Sequence, residues 1–280
     1  MNDEGFDVAI IDADSVLYQI AHYQPSPALC KKALDTRIGD ITKEVLASEA
    51  LVFIKGVDNF RYQVASDYKG NRKDNMEPEV KDRLIMLYEY AKEFCIESDN
   101  AEADDYCGVA FRLAQEEGKT AVLCHIDKDL DALPGWHYNF RKNNFYEVTP
   151  ESGYYFLMKQ ILMGDATDNI QGIKGMGPKT AEKVLANVPN ERMFDTVIDT
   201  YKSKCGNTWL EDFTKSANLI WIRDNADNFK PLTYEELKEK LQWKTTDTGT
   251  LSQSDQTTPL DLSTTSKTLK QEDDTLEESN

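Results

Sequence analysis

Apolar and polar positions fall into blocks along the chain, and the blocks change period. Asp7–Ile11 (DVAII) is a short apolar run bounded by polar residues, the pattern of a buried strand. Leu51–Ile54 (LVFI) and Thr120–Ile126 (TAVLCHI) repeat it. Between them Ile38, Ile41, Val45 and Leu46 are spaced as on one face of a helix, which predicts a helix over Arg37–Ser48. Glu77–Phe94 is a second, with Pro78 in its first turn, and Glu102–Glu117 a third, stopped by Gly118. Asp58–Met76 is polar, with Tyr68-Lys69-Gly70-Asn71-Arg72-Lys73 at its centre, and reads as a loop or mobile element. Trp136–Phe140 and Phe145–Val148 read as a short strand pair, and Pro150 to Trp243 reads as helical. Strands alternating with helices and then a helical stretch predict an α/β sheet over residues 1–149 with a helical appendage over 150–244.

Composition changes this picture at the C-terminal end. After Trp243 the chain carries ten Thr, five Ser and no aromatic residue over 245–280, with a net charge of −6. Such a segment cannot bury enough apolar surface to offset its ordering entropy, so a disordered acidic tail is expected. No apolar run reaches the ~18 residues of a membrane span. The acidic opening MNDEGFD fits neither a secretory signal nor an Arg-rich transit peptide. The five cysteines contain no CxxC pair, which excludes zinc-knuckle and disulfide-framework readings and makes a reducing cytoplasm the expected compartment.

A net charge of −18 argues at first against anionic partners. Removing the tail leaves −12 on the other 244 residues, and eleven acids there fall into five clusters. These are Asp12 and Asp14; Asp58; Glu102, Asp104 and Asp105; Asp127, Asp129 and Asp131; and Asp165 and Asp168. Three clusters follow predicted strands, where open parallel sheets place their ligand sites. Glu102 and Asp105, like Asp165 and Asp168, are three apart and share a helix face. Any one cluster reads most simply as helix caps and solvated turns. Five together point to hard divalent cations, Mg²⁺ or Mn²⁺, and two such ions can activate water and stabilise a leaving oxygen. If the clusters converge, most of the excess charge is confined to one site, and the remaining surface is free to hold basic patches.

Gly172-Ile173-Lys174-Gly175-Met176-Gly177-Pro178-Lys179-Thr180-Ala181 opens a predicted helix over Lys179–Asn187. Dense glycines let backbone N–H groups approach an anion closely. A nucleotide-binding P-loop needs Gly directly before Lys-Ser/Thr, and Pro178 intervenes. The Gly-h-x-Gly-x-Gly pattern instead looks like a helix–hairpin–helix, which grips a DNA backbone without reading bases, with Lys174 and Lys179 on phosphates.

With these residues assembled, the chain resembles the 5′-nuclease (flap endonuclease) family, in particular the bacteriophage 5′→3′ exonucleases and the 5′-nuclease domain of bacterial DNA polymerase I. The matching motifs are IIDADSVLY, DYKGNRK, AEADD, HIDKDLDAL and MGDATDNIQGIKGMGPKTA, in the family's order over about residues 6–225. The resemblance implies a PIN-like fold with a mostly parallel central sheet and a helix–hairpin–helix region at 165–187. It implies two Mg²⁺ ions, replaceable by Mn²⁺, and K⁺ at the hairpin. It also implies a double-stranded DNA partner with a 5′ end or flap, and an arch near 58–76. Asp12, Glu102, Asp104, Asp105, Asp127, Asp129, Asp165 and Asp168 match metal-site acids. Asp58 lies four residues beyond the usual strand-end position and reaches back to a metal only if the loop folds inward. Asp14 replaces a small hydroxyl residue and belongs beside the metals rather than on them. Lys69 and Arg72 match cations that contact the scissile phosphate, and Tyr68 matches a residue that stacks on a terminal base. Gly172, Gly175, Gly177 and Thr180 complete the DNA-binding set with the two lysines. A phage protein acting in the host cytoplasm is expected, with the acidic tail contacting a replication-fork partner or competing for the DNA groove.

Two other functions compete. A haloacid-dehalogenase-type phosphatase would use Asp12 as nucleophile and Asp14 as acid/base, but leaves Glu102–Asp105, Asp127–Asp131 and the glycine hairpin unexplained. A non-catalytic structure-specific DNA-binding protein would gain nothing from acids that repel DNA. His22, His125 and His137 pair with no Ser or Cys in a triad and read as structural.

Overall fold

The computed structural model describes residues 5–72 and 75–244. The tail expected over 245–280, with its partner role, lies outside the described residues. Strand β1 (Phe6–Asp12) is buried on both faces from Val8 onward, as its continuous apolar run requires. It pairs in parallel with β2 (Ala47–Ile54) on one side and β4 (Ala121–His125) on the other. Outside these lie β3 (Ile96–Glu97) and β5 (Gly135–Asn139), also parallel, and β5 returns as the antiparallel β6 (Asn144–Val148). The sheet order is β3-β2-β1-β4-β5-β6. It is the α/β, mostly parallel sheet that the sequence predicted.

Helices cover both faces. On one face α1 (Asp14–Tyr23), α2 (Pro27–Glu44) and α4 (Pro78–Ala91) pack through Val16, Leu17, Leu34, Ile38 and Leu87. On the other α5 (Ala103–Glu116) packs Cys107, Ala110 and Phe111 against Val8, Ile10 and Leu123. Pro27 and Pro78 each sit in a first turn, where a missing N–H costs nothing, and the Ser26 side chain caps α2. A short helix, α3 (Arg61–Val64), interrupts the loop expected over 58–76.

The helical portion comprises α6 (Pro150–Met163), α7 (Pro178–Leu185), α8 (Asn190–Cys205), α9 (Trp209–Ile220) and α10 (Tyr234–Leu241). They enclose a separate apolar cluster that includes Ile161, Val197, Tyr201 and Phe213. A two-stranded ribbon, β7 (Gly164–Asp165) with β8 (Ile170–Gln171), joins α6 to the glycine hairpin.

The boundaries of one predicted helix move furthest. The helix expected over 37–48 starts at Pro27 and ends at Glu44, because Leu46 turns into the left-handed region (φ 53°) and feeds β2 directly. Apolar spacing ran on across that turn. Helix α1 was not predicted, although Val16, Leu17, Ile20 and Ala21 form its buried stripe.

Gly172 is fixed by close approach. A Cβ there would lie 2.2 Å from the Met163 carbonyl carbon and 2.4 Å from the Gly164 nitrogen. At Gly177 a Cβ meets nothing within 4 Å. Gly172→Ala should therefore destabilise the fold by about 1–3 kcal/mol, as overpacking does. Gly177→Ala should stay within about 0.5 kcal/mol of wild type. Urea unfolding of the two variants side by side checks the contrast.

Candidate active site

Because β1 and β4 are parallel neighbours, their carboxyl ends reach the same edge of the sheet. Asp12 is the last residue of β1, and Asp127 follows β4 by two. Helix α5 begins at that edge, with Glu102 at its N-cap and Asp104 in its first turn. Asp12, Glu102, Asp104 and Asp127 line one cleft of about 800 Å³, together with Asp14, Asp58, Lys69, Arg72 and Lys128. Burial raises the Asp12 carboxyl, and the Asp14 and Asp127 charges raise it further, to about 8. Asp104 is pushed well above its usual range by burial and by Asp12 and Asp127. A set of acids that keeps protons to this extent is under-supplied with positive charge.

Side-chain cations partly fill the deficit. Lys69 adopts a left-handed backbone (φ 57°), uncommon for a side-chain-bearing residue, and donates its amide to the Asp168 carbonyl at 2.9 Å. Its ammonium pairs with Glu102 and lies 3.7 Å from Asp168 Oδ2. Arg72 pairs with Asp168 as well. Burial would raise Glu102, but Lys69 and Arg61 hold its carboxyl below the ordinary value. Alongside, Lys128 Nζ bridges Asp129 and Asp165 at 3.0 Å to each, and Gln160 Nε2 donates to Asp129 at 2.6 Å. The 67–72 segment is moored on the turn that carries Asp165 and Asp168. Asn169 Nδ2 donates to the Asp67 carbonyl at 2.8 Å, and Asn71 donates to the Ala166 carbonyl.

Several acids of the predicted clusters have other surroundings than expected. Asp105 is fully buried and its oxygens accept from Arg61 (2.6 and 2.9 Å), the Arg223 amide (2.8 Å) and the Glu102 amide (3.0 Å), so it anchors the start of α5 instead of facing the cleft. Asp58 is exposed in the cleft wall. Asp14 accepts from the Lys55 amide and the Tyr88 hydroxyl, each at 3.0 Å. Asp131 turns away to Tyr146. Tyr68, expected to stack on a base, is only 4% exposed, and its hydroxyl donates toward Glu102 (2.9 Å) and Asp168 (3.3 Å). Tyr18 and Tyr62 are aromatic residues exposed in that wall. Arg61, Tyr88, Gln160 and Asn169 were not singled out from the sequence. Lys128 stood inside the HIDKDLDAL motif without a role.

The glycine hairpin forms its own surface. Residues Ile170–Gly177, with Met163 and Ala166, line an open cavity of about 680 Å³. Positive φ lies at Gly175 (79°), while Gly177 is ordinary extended backbone and caps α7. Lys174, Lys179 and Thr180 are exposed. The amides of Gly175 and Gly177 find no acceptor among the described residues.

No protein-family model matches the chain. Over 220 residues it is 30% identical to DNA polymerase I of Bacillus caldotenax, covering 70% of this chain and 24% of that protein. Over 185 residues it is 32% identical to the exonuclease of Escherichia phage T7, covering 65% of this chain and 58% of that one. The chain thus spans about a quarter of such polymerases and a little over half of the phage enzyme. The crystal structure of the phage T5 D15 protein co-crystallised with metal ions superimposes with a TM-score of 0.64 at 17% identity, covering 84% of this chain and 97% of that one. The T5 D15 flap endonuclease in a complex with DNA and metal ions gives 0.62 at 18% identity, with the same coverage. The chain is a relative of the 5′-nucleases.

For a 5′-nuclease relative the donor set fits hard divalent ions. It consists of carboxylate oxygens; burial and like charges keep Asp12 and Asp104 protonated, and side-chain ammonium and guanidinium groups already pair with Glu102, Asp129, Asp165 and Asp168. The phosphatase alternative needs Asp14 free as acid/base beside Asp12, whereas Lys55 and Tyr88 engage it. No helix among the described residues is long and apolar enough to cross a membrane.

Neighbouring acids should respond oppositely to neutralisation. In EDTA, Asp105→Asn removes the carboxylate that pairs closely with the buried Arg61, leaving only Glu102 at 3.8 Å, and should cost about 3–5 kcal/mol. Asp104→Asn removes the cost of burying and protonating that carboxyl on folding, and should raise the unfolding midpoint of the metal-free protein near neutral pH. Denaturant melts of both variants in EDTA test this, and equal destabilisation would contradict the division of roles.

Proposed function

We propose that the chain is a metal-dependent 5′→3′ exonuclease or structure-specific flap endonuclease that hydrolyses DNA phosphodiesters to 5′-phosphate products. One observation carries the reading. Asp12, Glu102, Asp104 and Asp127 converge at the sheet edge, and Lys69 joins them to Asp168, three residues from Asp165 and four from Gly172, which opens the glycine hairpin.

In this reading Asp12, Glu102, Asp104 and Asp127 hold one divalent ion, and Asp129, Asp165 and Asp168 hold a second. Mg²⁺ is the metal, with Mn²⁺ able to replace it. Bound there, the ions supply an activated water and stabilise the departing 3′-oxygen. The protein's own groups position the DNA. Lys69 and Arg72 exchange their carboxylate partners for the scissile phosphate and neutralise the charge that builds on it. The Gly175 and Gly177 amides, Lys174 and Lys179 grip the duplex backbone, helped by a K⁺ at the hairpin. Residues 1–149 supply most of the chemistry, and 150–244 supply the duplex grip and the second group of acids. The arch-like segment near 58–76 is moored by Asn169 and Asn71, which sets Lys69 over the cleft.

Asp127→Ala or Asp168→Ala should abolish cleavage of 5′-labelled flap DNA in Mg²⁺ while leaving duplex affinity in EDTA within about twofold, since phosphate contacts elsewhere set affinity. Wild-type turnover by either variant would remove the metal assignment. Lys69→Ala should lower kcat by roughly 10²–10³, the size of a lost transition-state donor. An effect confined to KM would make Lys69 a binding residue only.

A further inference from the structure

Beside the carboxylate cleft lies a second polar cluster of different chemistry. His125 ends β4, His137 lies in β5, Tyr146 in β6, and Asp131 in the 3₁₀ turn Lys128–Ala132. Both imidazoles are buried, 1% and 0% exposed.

The hydrogen bonds fix where the ring protons are. His125 Nδ1 lies 2.5 Å from the Asp127 carbonyl oxygen, and His137 Nε2 lies 2.8 Å from the Leu133 carbonyl oxygen. Carbonyl oxygens only accept, so both of those nitrogens carry hydrogen. Each neutral ring then keeps a lone pair on its other nitrogen. Those two nitrogens, His125 Nε2 and His137 Nδ1, face each other at 2.8 Å. Two lone pairs at that distance repel unless a positive species joins them. The Tyr146 hydroxyl does not serve, because it donates to Asp131 Oδ1 at 2.7 Å and lies 3.3 Å from His125 Nε2.

An added proton would make an imidazolium, and burial opposes it by pushing His137 down to about 4. A metal ion satisfies every group. Metal-bound histidines typically donate their remote N–H to a backbone carbonyl, as both do here. Asp131 Oδ1, 4.0 Å from His125 Nε2, brings an anionic oxygen to the same point. The three ligand atoms lie within 4.8 Å of one another. Two imidazoles and a carboxylate suit Zn²⁺ and similar transition ions, in contrast to the all-oxygen cleft. Tetrahedral Zn–N bonds of about 2.0–2.1 Å separate two nitrogens by roughly 3.3 Å, so a rotation that opens the pair by about half an ångström admits the ion.

We propose that His125 Nε2, His137 Nδ1 and Asp131 Oδ1 bind one transition-metal ion of the Zn²⁺ class, apart from the carboxylate cleft. Such an ion ties the turn bearing Asp127 and Asp129 to the β5–β6 hairpin.

The test uses the full-length protein stripped of metal, given excess Mg²⁺ to fill the oxygen sites, and titrated with Co²⁺. Expected is saturable uptake of one Co²⁺ per chain with the visible absorption of a nitrogen-coordinated ion, reversed by Zn²⁺. His137→Gln should weaken uptake by about 100-fold or more, while Asp168→Asn leaves it unchanged. No visible band in the wild type overturns the site and leaves a shared proton between the rings. An unchanged band in a His137→Gln protein with native circular dichroism overturns it equally. Should His137→Gln fail to fold, Asp131→Asn, at a partly exposed side chain, replaces it. Uptake weakened by about tenfold or more then supports the site, and unchanged uptake refutes it.

Discussion

Carboxylates gathered at one edge of a parallel sheet repel one another, and much of the surrounding structure holds them in place. Asp12 is forced there by its place at the end of a fully buried strand, and Asp104 by the first turn of α5. Neither has a cation within ion-pair distance among the described residues, and both keep their protons far above the usual carboxylate range. Around them Lys69, Arg72 and Lys128 each clamp an acid that belongs to a different element. The clamps connect the α/β portion to the β7–β8 turn. The left-handed Lys69 backbone is held by those same contacts, since such a conformation persists only where its surroundings over-determine it.

A buried ion pair stands behind this arrangement. Arg61 reaches Asp105 with two hydrogen bonds and also donates to the Leu219 and Trp221 carbonyls, at the end of α9. It thus fixes the start of α5 against the helical portion. Asp105 looks like Asp104 in the sequence, one residue away and equally acidic, yet one faces the cleft and the other the interior. The 100° step between successive helical residues makes the difference.

That pair shows where reading the sequence stopped. The strands β1 and β4 and the buried end of β2 were legible because buried strand segments write continuous apolar runs. The order of acid clusters after them was legible because parallel strands put their carboxyl ends together. Which acid faces the cleft depends on partners distant in sequence, Arg61 and Arg223 for Asp105, and no local pattern announces them. Tyr68 misled for the same reason. Its motif neighbours Lys69 and Arg72 do reach the cleft, while its own ring packs into the helical cluster. The positive φ of the hairpin falls at Gly175, because Pro178 opens α7 and places Gly177 at an extended cap.

The Lys69 contacts have a thermodynamic consequence. An incoming anion competes with Glu102 for the single positive charge of the Lys69 ammonium. An anion that draws Lys69 away strips Glu102 of its counter-charge and makes that carboxylate a better cation ligand. A cation on Glu102 in turn releases Lys69 for the anion. Reciprocity of linked equilibria then requires each to tighten the other's binding by the same factor. Cation affinity and anion affinity in this cleft are therefore not separate constants, and either one measured alone understates what the assembled site achieves.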